Sequence, residues 1–263
     1  MTEKSDDIAS ITQEAPPRET LEILYQDDNL VAVNKPTGLL VHRSPIDRHE
    51  TRFALQLLRN QLGRYVYPLH RLDKPTSGVL LFALSAEFAK AMGASFAQHA
   101  IDKRYLAVVR GHCPSEGVVD HPLKEEDKAP GQAFAEPQSA TTTFRCLAHH
   151  QIEAAIETYP QSRYSLLELS PLTGRRHQLR RHMKHISHPI IGDAKHGRGR
   201  HNRYFAEHFD CPRLLLHSYI SSFQHPLSGE KIMIQAPLDE AFSALLQRFS
   251  WSDAVPNRKQ PQQ

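Results

Sequence analysis

The sequence lacks long apolar runs, paired cysteines and glycine-rich nucleotide motifs, and each absence excludes a class of protein. None of its 263 residues lies in an apolar run that could cross a bilayer, and the first twenty residues contain no export signal. Three cysteines without a C-x-x-C pair indicate neither a disulfide framework nor a thiolate zinc site. No P-loop or dinucleotide motif is present. We therefore expect a cytoplasmic protein with no membrane attachment, cofactor or metal.

The middle of the chain contains no stretch with the composition of a linker, so we expect one folded domain. We expect residues 1–20 to form an acidic flexible leader, residues 21–250 to form the folded domain, and residues 251–263 to form a polar tail. Nothing in this organisation implies an obligate protein partner.

Short apolar segments outnumber amphipathic stretches, and they do not alternate regularly with them. This pattern predicts an α+β fold with a mainly antiparallel sheet and flanking helices. The helices are expected at residues 53–62 and 86–100, with Ser85 as the N-cap of the second. Residues 121–139 predict an exposed excursion. The predicted strands are residues 21–25, 30–33, 79–84, 104–109, 140–146, 152–158, 165–169 and 232–236.

A formal net charge of +3 conceals a strong asymmetry along the chain. Residues 1–28 carry two basic and eight acidic side chains, whereas residues 171–203 carry nine Lys or Arg and one acid, Asp193. This basic segment is typical of a polyanion-binding face, although a solvated helix surface has a similar composition. Its histidines lack the cysteine or carboxylate that would complete a zinc site, and the neighbouring arginines oppose a cation.

Asp73 is the most informative single residue of the sequence. It lies between Arg71 and the turn-forming Pro75 and Gly78, immediately before the uncharged apolar residues 79–84. A loop carried by a buried strand is a common place for a catalytic group. An aspartate that only stabilises its own turn is an equally good interpretation of the spacing alone.

Four motifs stand in an order that resembles the RluA-type pseudouridine synthases. They are H-R-L-D-x-x-T-S-G at residues 70–78, K-R-Y at 103–105, T-G-R-x-H-Q-L-R-x-H at 173–182 and H-P-I-I-G-D at 188–193. The resemblance covers about residues 21–240. It implies the pseudouridine synthase fold, with a central RNA-binding cleft, and an enzyme that isomerises uridine without a cofactor.

The resemblance also implies roles for individual residues. Asp73 is the essential carboxylate, Arg180 its bidentate ionic partner, and Tyr105 the ring that stacks on the target uracil. Arg71 is implied to occupy the space left by the flipped nucleotide. The remaining cationic side chains of the motif are expected to contact RNA; they are Arg175, Arg176, His177 and Arg181.

The chemistry requires cleavage of the N1–C1′ bond, rotation of the uracil and formation of a C5–C1′ bond. A carboxylate is ionised at neutral pH, so it can attack C1′ or remove a sugar proton to give a glycal; both routes stay open. Residues 21–27, 41–44 and 192–197 are similar to family members that modify uridine-65 of tRNA. Ribosomal RNA is the alternative substrate, and a non-catalytic RNA-binding protein is the alternative function.

Overall fold

The computed structural model describes residues 19–43, 48–125 and 136–256. Residues 1–18 of the predicted leader and residues 257–263 of the predicted tail lie outside this range, as do residues 126–135 of the predicted excursion. Within the described residues, ten strands form one sheet, accompanied by five α-helices and one short 3₁₀ turn.

The strands are mostly five to ten residues long, and β7 is the longest. Their bounds are β1 (Glu22–Gln26), β2 (Leu30–Lys35), β3 (Tyr67–Pro68), β4 (Ser77–Ala83), β5 (Asp102–Arg110), β6 (Glu116–Asp120), β7 (Thr141–Ile152), β8 (Ser162–Pro171), β9 (Leu216–Gln224) and β10 (Lys231–Gln235).

The helices are α1 (Ala54–Leu62), α2 (Ala86–Ala97), α3 (Gln178–His185), α4 (Gly199–His208) and α5 (Glu240–Arg248), and the 3₁₀ turn is Ser252–Ala254. Two of them begin at side-chain caps: Ser85 accepts a hydrogen bond from the Phe88 amide, and Asp239 accepts one from the Phe242 amide. No helix in the described part of the chain has the length and apolar character needed to cross a membrane.

The sheet runs in the order β1-β2-β4-β9-β5-β8-β7-β6, with β10 beside β9 and β3 beside β4. Among these strands all pairs are antiparallel except β4 with β9, which are parallel and meet only at Ser77–His217 and Gly78–Ser218. The predicted α+β fold with a mainly antiparallel sheet is therefore confirmed.

Both faces of the central strands are covered, which explains why β4 is buried throughout and apolar from Val79 to Ala83. On β5, Tyr105, Ala107 and Val109 pack in the core that includes residues of α1 and α3. Leu106 and Val108 face the opposite core, formed with α4 and α5. Leu179 of α3 belongs to the first core and Ile191 to the second, and they are 7% and 1% exposed.

One predicted strand is wrong. Residues 152–158 do not form a separate strand: β7 runs on to Ile152, and residues 153–161 turn back towards β8. The long register of β7 against β8 explains the difference, because hydrogen bonds to a neighbouring strand extend β7 across its polar residues His149–Gln151. The helices α3, α4 and α5 and the strands β3, β6 and β9 were not predicted.

Candidate active site

Asp73 lies in a tight turn that its backbone, rather than its side chain, stabilises. The Thr76 amide donates to the Asp73 carbonyl at 3.0 Å, and the Gly38 amide donates to the Lys74 carbonyl at 2.9 Å. The Thr37 hydroxyl donates to the Pro75 carbonyl at 2.8 Å. The turn is thus held at three consecutive carbonyls, which leaves the Asp73 carboxylate available for contacts outside it.

Strand β9 brings the Asp73 turn beside Tyr105, because Ser218 pairs with both Gly78 of β4 and Tyr105 of β5. Gly78 has φ +105°, and a Cβ atom there would lie 2.1 Å from the Ser218 carbonyl oxygen, so only glycine fits. The β5–β9 register shifts between Arg104 and Tyr105. Such bulges change the direction of a side chain, and Tyr105 faces the same core as Leu72.

Arg180 of α3 connects two carboxylates. Its Nη1 atom donates to Asp73 Oδ2 at 3.1 Å, while its Nε and Nη2 atoms donate to the two oxygens of Asp193 at 2.7 and 2.8 Å. The expected Arg180–Asp73 pair is therefore present, but the bidentate partner is Asp193. The correction follows from geometry: a guanidinium has one fork that includes Nε, and Asp193 occupies it.

Asp193 is 2% exposed and is ionised through its partners. Burial opposes the charge, but hydrogen bonds and the positive charge of Arg180 outweigh it, so the pKa of Asp193 is lowered. The amides of Lys195 and His196 also donate to Asp193 Oδ1, at 3.0 and 2.9 Å. This set of four donors fixes Asp193, which in turn fixes the orientation of Arg180.

The residues predicted to form the site meet in one cavity of about 360 Å³. The only one of them that does not line it is Arg181, whose Nη1 atom donates to the Lys124 carbonyl at 2.8 Å. His177 begins α3 with a left-handed backbone, and its Nε2 atom lies 3.9 Å from Asp73 Oδ1, beyond hydrogen-bond distance. The predicted residues in the cavity are Arg71, Asp73, Tyr105, Arg175, Arg176, His177 and Arg180.

The cavity also contains groups that were not predicted, namely His70, Phe96 and Lys103. Burial and the charge of Lys103 lower the pKa of His70 to about 4, so this imidazole is neutral at pH 7. Its Nε2 atom accepts a hydrogen bond from the Leu81 amide at 3.2 Å. Burial raises the pKa of Tyr105 to about 12, so its phenol keeps the proton.

A buried lysine donates a hydrogen bond to the Asp73 turn. Lys35, at the end of β2, is fully buried, and its Nζ atom donates to the carbonyls of Pro36, Leu39 and Lys74 at 2.9, 2.7 and 3.1 Å. Burial, with the charge of Arg213, lowers the pKa of Lys35 to about 7. All three ammonium protons are thus used to join the residue 36–39 segment to the Asp73 turn.

Sequence reasoning missed the roles of Asp193 and Lys35 for different reasons. Asp193 had two signals, since it is the single acid among the nine cations of residues 171–203 and the last residue of the H-P-I-I-G-D motif. Lys35 had none, because a lysine beside Pro36 and Gly38 reads as part of an exposed turn. Among the described residues, no group of three His, Cys, Asp or Glu side chains could hold a metal ion.

Residues 29–185 match the family described as RNA pseudouridylate synthase. The chain belongs to this family, and the predicted resemblance is confirmed. It is 51% identical over 239 residues to the tRNA pseudouridine synthase C of Vibrio cholerae, covering 89% of this chain and 98% of the relative. The protein of the same name from Yersinia pestis is 49% identical over 241 residues, covering 90% and 94%.

A solved structure agrees with the fold. The Human RNA Pseudouridylate Synthase Domain Containing 4 structure superposes with a TM-score of 0.65 at 26% identity, over 87% of this chain and 93% of that one. Identity above 25% and nearly complete coverage of both chains place the fold, and not only a local motif, in this family.

Proposed function

We propose that this protein is a tRNA pseudouridine synthase that isomerises uridine-65. The observation that carries the proposal is the chain Asp73–Arg180–Asp193 at the wall of a cationic cavity, in a chain about 50% identical to relatives named tRNA pseudouridine synthase C. Residues 21–250 form the catalytic domain, which acts in the cytoplasm on tRNA without an obligate protein partner or a cofactor.

Asp73 is the catalytic carboxylate of this proposal. Arg180 donates to Oδ2, whereas Oδ1 lies beyond hydrogen-bond distance of His177, so Oδ1 is the oxygen that reacts at the sugar. If Oδ1 attacks C1′, the N1–C1′ bond breaks and uracil leaves as an anion. C5 then attacks C1′, the carboxylate departs, and the C5 proton is removed while N1 gains one. In the glycal route, Oδ1 instead removes the C2′ proton while the N1–C1′ bond breaks, which leaves a C1′=C2′ double bond and the uracil anion. C5 then bonds to C1′ as the carboxyl group returns the proton to C2′, and the C5 proton is removed while N1 gains one.

Tyr105 stacks on the flipped uracil in this mechanism. Its pKa of about 12 makes phenolate a minor form at neutral pH, which favours a role in holding the ring over a role as the base that removes the C5 proton. A uracil detached from the sugar must stay in the cavity while it rotates, and a flat aromatic wall permits that rotation.

Arg71 occupies the space left by the flipped nucleotide, and Arg175, Arg176 and His177 contact the RNA backbone around it. Arg71 and Arg175 are exposed at the cavity, where cations can replace the counterions of phosphates. Arg181 lies outside the cavity, and we assign it to phosphates of the flanking RNA. Arg180 differs from all of these, since it is 5% exposed and donates hydrogen bonds to two carboxylates.

The test is to incubate the purified protein with unmodified tRNA and with ribosomal RNA fragments, and to map pseudouridine in both. Conversion of uridine-65 in tRNA alone is the expected result. Conversion of ribosomal RNA alone would replace the substrate and keep the chemistry. Binding of both RNAs without conversion of any uridine would favour a non-catalytic RNA-binding protein and contradict the proposal.

A further inference from the structure

A second cavity, of about 540 Å³, lies at the end of β5 opposite to Tyr105. Arg110 ends β5 five residues after Tyr105, which at about 3.3 Å per residue separates the two positions by about 17 Å. The side chains of this lining that are ionisable or aromatic are Arg110, His112, Glu157, Tyr159, Arg163 and His201.

Two arginines, Arg110 and Arg163, and one carboxylate, Glu157, line the second cavity. Its one lining carboxylate, Glu157, is paired with Arg110 at 3.0 Å and lies 3.6 Å from His201, which leaves Arg163 as the exposed cation. Burial lowers the pKa of His201, and the charges of Arg110 and Arg198 lower it further against the opposing effect of Glu157. A cavity with this charge favours an anion over a cation.

Tyr159 provides a flat surface beside these cations. The side chain is 71% exposed, whereas buried tyrosines of this protein such as Tyr164 are enclosed by other rings. An exposed aromatic ring next to arginines is the arrangement on which single-stranded nucleic acids stack their bases.

The basic segment, residues 171–203, connects the two cavities. Arg175 and Arg176 line the catalytic cavity, and His201, in the first turn of α4, lines the second. Between them, His188 Nδ1 donates a hydrogen bond to the Arg110 carbonyl at 2.9 Å, so the segment reaches the end of β5 directly after α3. A polyanion that leaves the catalytic cavity along this segment arrives at the second one.

We propose that the second cavity binds another part of the same RNA substrate, an unpaired nucleotide whose base stacks on Tyr159 and whose phosphate contacts Arg163. This inference rests on the proposed function for the identity of the RNA. The ion pair with Arg110 neutralises Glu157, so the carboxylate does not repel the phosphate.

The test compares Tyr159→Ala and Arg163→Ala in the full-length protein with unmodified tRNA. Both variants should weaken tRNA binding by about tenfold in low salt, through lost stacking and a lost phosphate contact respectively. Arg163→Ala alone should reduce the slope of log affinity against log salt by about 0.7–0.9, and Arg163→Lys should restore the slope. The maximal conversion rate at saturating tRNA should stay unchanged in all three.

The matched control is Tyr65→Ala, since Tyr65 is 73% exposed and lies on the connection after α1, outside both cavities. Equal losses for Tyr65→Ala and Tyr159→Ala, or no loss for Arg163→Ala, would overturn the inference. So would binding of free uridine 5′-monophosphate that the cavity variants abolish while tRNA binding stays intact. If wild-type protein binds tRNA but converts no uridine, the proposed function fails while the variants still report on the second site.

Discussion

Arg180 determines how the proposed catalytic carboxylate is presented. A guanidinium bound to a single carboxylate could rotate with its side chain. The bidentate contact with Asp193 fixes the plane of the Arg180 guanidinium independently of its contact with Asp73. Asp193 does not line the catalytic cavity. We therefore assign to it the positioning of Arg180 and not a contact with the substrate.

Replacing Asp193 with Asn should lower the single-turnover rate of conversion about 100-fold, because small displacements of a catalytic group have effects of this size. It should also reduce the free energy of unfolding by about 3 kcal/mol, since the buried charge of Arg180 would lose one of its two carboxylate partners. RNA affinity should change less than twofold, because Asp193 is 2% exposed. Rapid-quench kinetics, urea denaturation and filter binding measure these three quantities.

Asp102→Asn is the matched control, since Asp102 pairs with Arg104 on the surface and its side chain is 47% exposed. It should leave the rate and the unfolding midpoint unchanged. A wild-type rate in Asp193→Asn would contradict the positioning role, and a lower rate accompanied by equally weaker RNA binding would assign Asp193 to binding instead.

At the scale of elements, the short parallel pairing of β4 with β9 brings the residues of the site together. These two strands share only two residue pairs, and Gly78 is at one of them. The close approach brings the Asp73 turn beside Tyr105, although β4, which follows that turn, and β5 do not pair with each other.

Gly78→Ala should therefore destabilise the fold by about 2–5 kcal/mol, because a Cβ atom would clash with the Ser218 backbone in a left-handed conformation. The measurement is urea denaturation. Gly93→Ala is the control: Gly93 lies within α2, and a methyl group added there would meet no atom within 4 Å, so this change should stabilise by about 0.5–1 kcal/mol. Equal effects of the two substitutions on the free energy of unfolding would show that the close approach of β4 to β9 at Gly78 does not require glycine.

The end of β2 contributes a pH dependence through Lys35. The pKa of Lys35 falls from the usual 10.5 to about 7 on folding, so between these values the unfolded chain binds more protons. Stability should therefore rise with pH from 7 towards 10, with a slope of up to about 1.4 kcal/mol per pH unit from this group. Subtracting the stability of Lys35→Met at each pH isolates that slope.

Lys231→Met, at an exposed position on β10, is the corresponding control. Its stability should follow that of the wild type in parallel across the same pH range. A wild-type curve parallel to that of Lys35→Met would show that Lys35 is charged in the folded protein throughout.

At the scale of the whole molecule, charge is divided between binding and catalysis. Arg175→Ala should reduce the slope of log tRNA affinity against log salt by about 0.7–0.9, because this exposed arginine releases counterions on binding a phosphate. Arg180→Ala should leave the slope nearly unchanged while abolishing conversion, because its charge is already neutralised by carboxylates. Equal slopes for the two variants would contradict this division.

The sequence predicted the parts of the molecule that depend on local pattern. The strands β1 and β2, the start of α2 at Ser85 and the apolar residues of β4 followed from local composition and capping, and each is confirmed. The family motifs also led to Asp73, Tyr105 and Arg180, which meet in one cavity.

The rest depends on contacts between distant residues. Arg180 and Asp193 are 13 residues apart, and which carboxylate takes the bidentate position is decided by the path of residues 186–192 and not by the motif. Lys35 is buried with three carbonyl acceptors, and one of them, the Lys74 carbonyl, lies 39 residues later in the chain. The bounds of β7 were missed because its pairing with β8 extends it through a polar stretch.

The central claim is that Asp73 performs the chemistry of a uridine isomerisation. Its most direct test is pseudouridine formation in unmodified tRNA under single-turnover conditions, with the wild type and Asp73→Asn at concentrations that saturate binding. We predict complete conversion by the wild type and none by Asp73→Asn, although both bind the tRNA. Conversion by Asp73→Asn at the wild-type rate would contradict the claim.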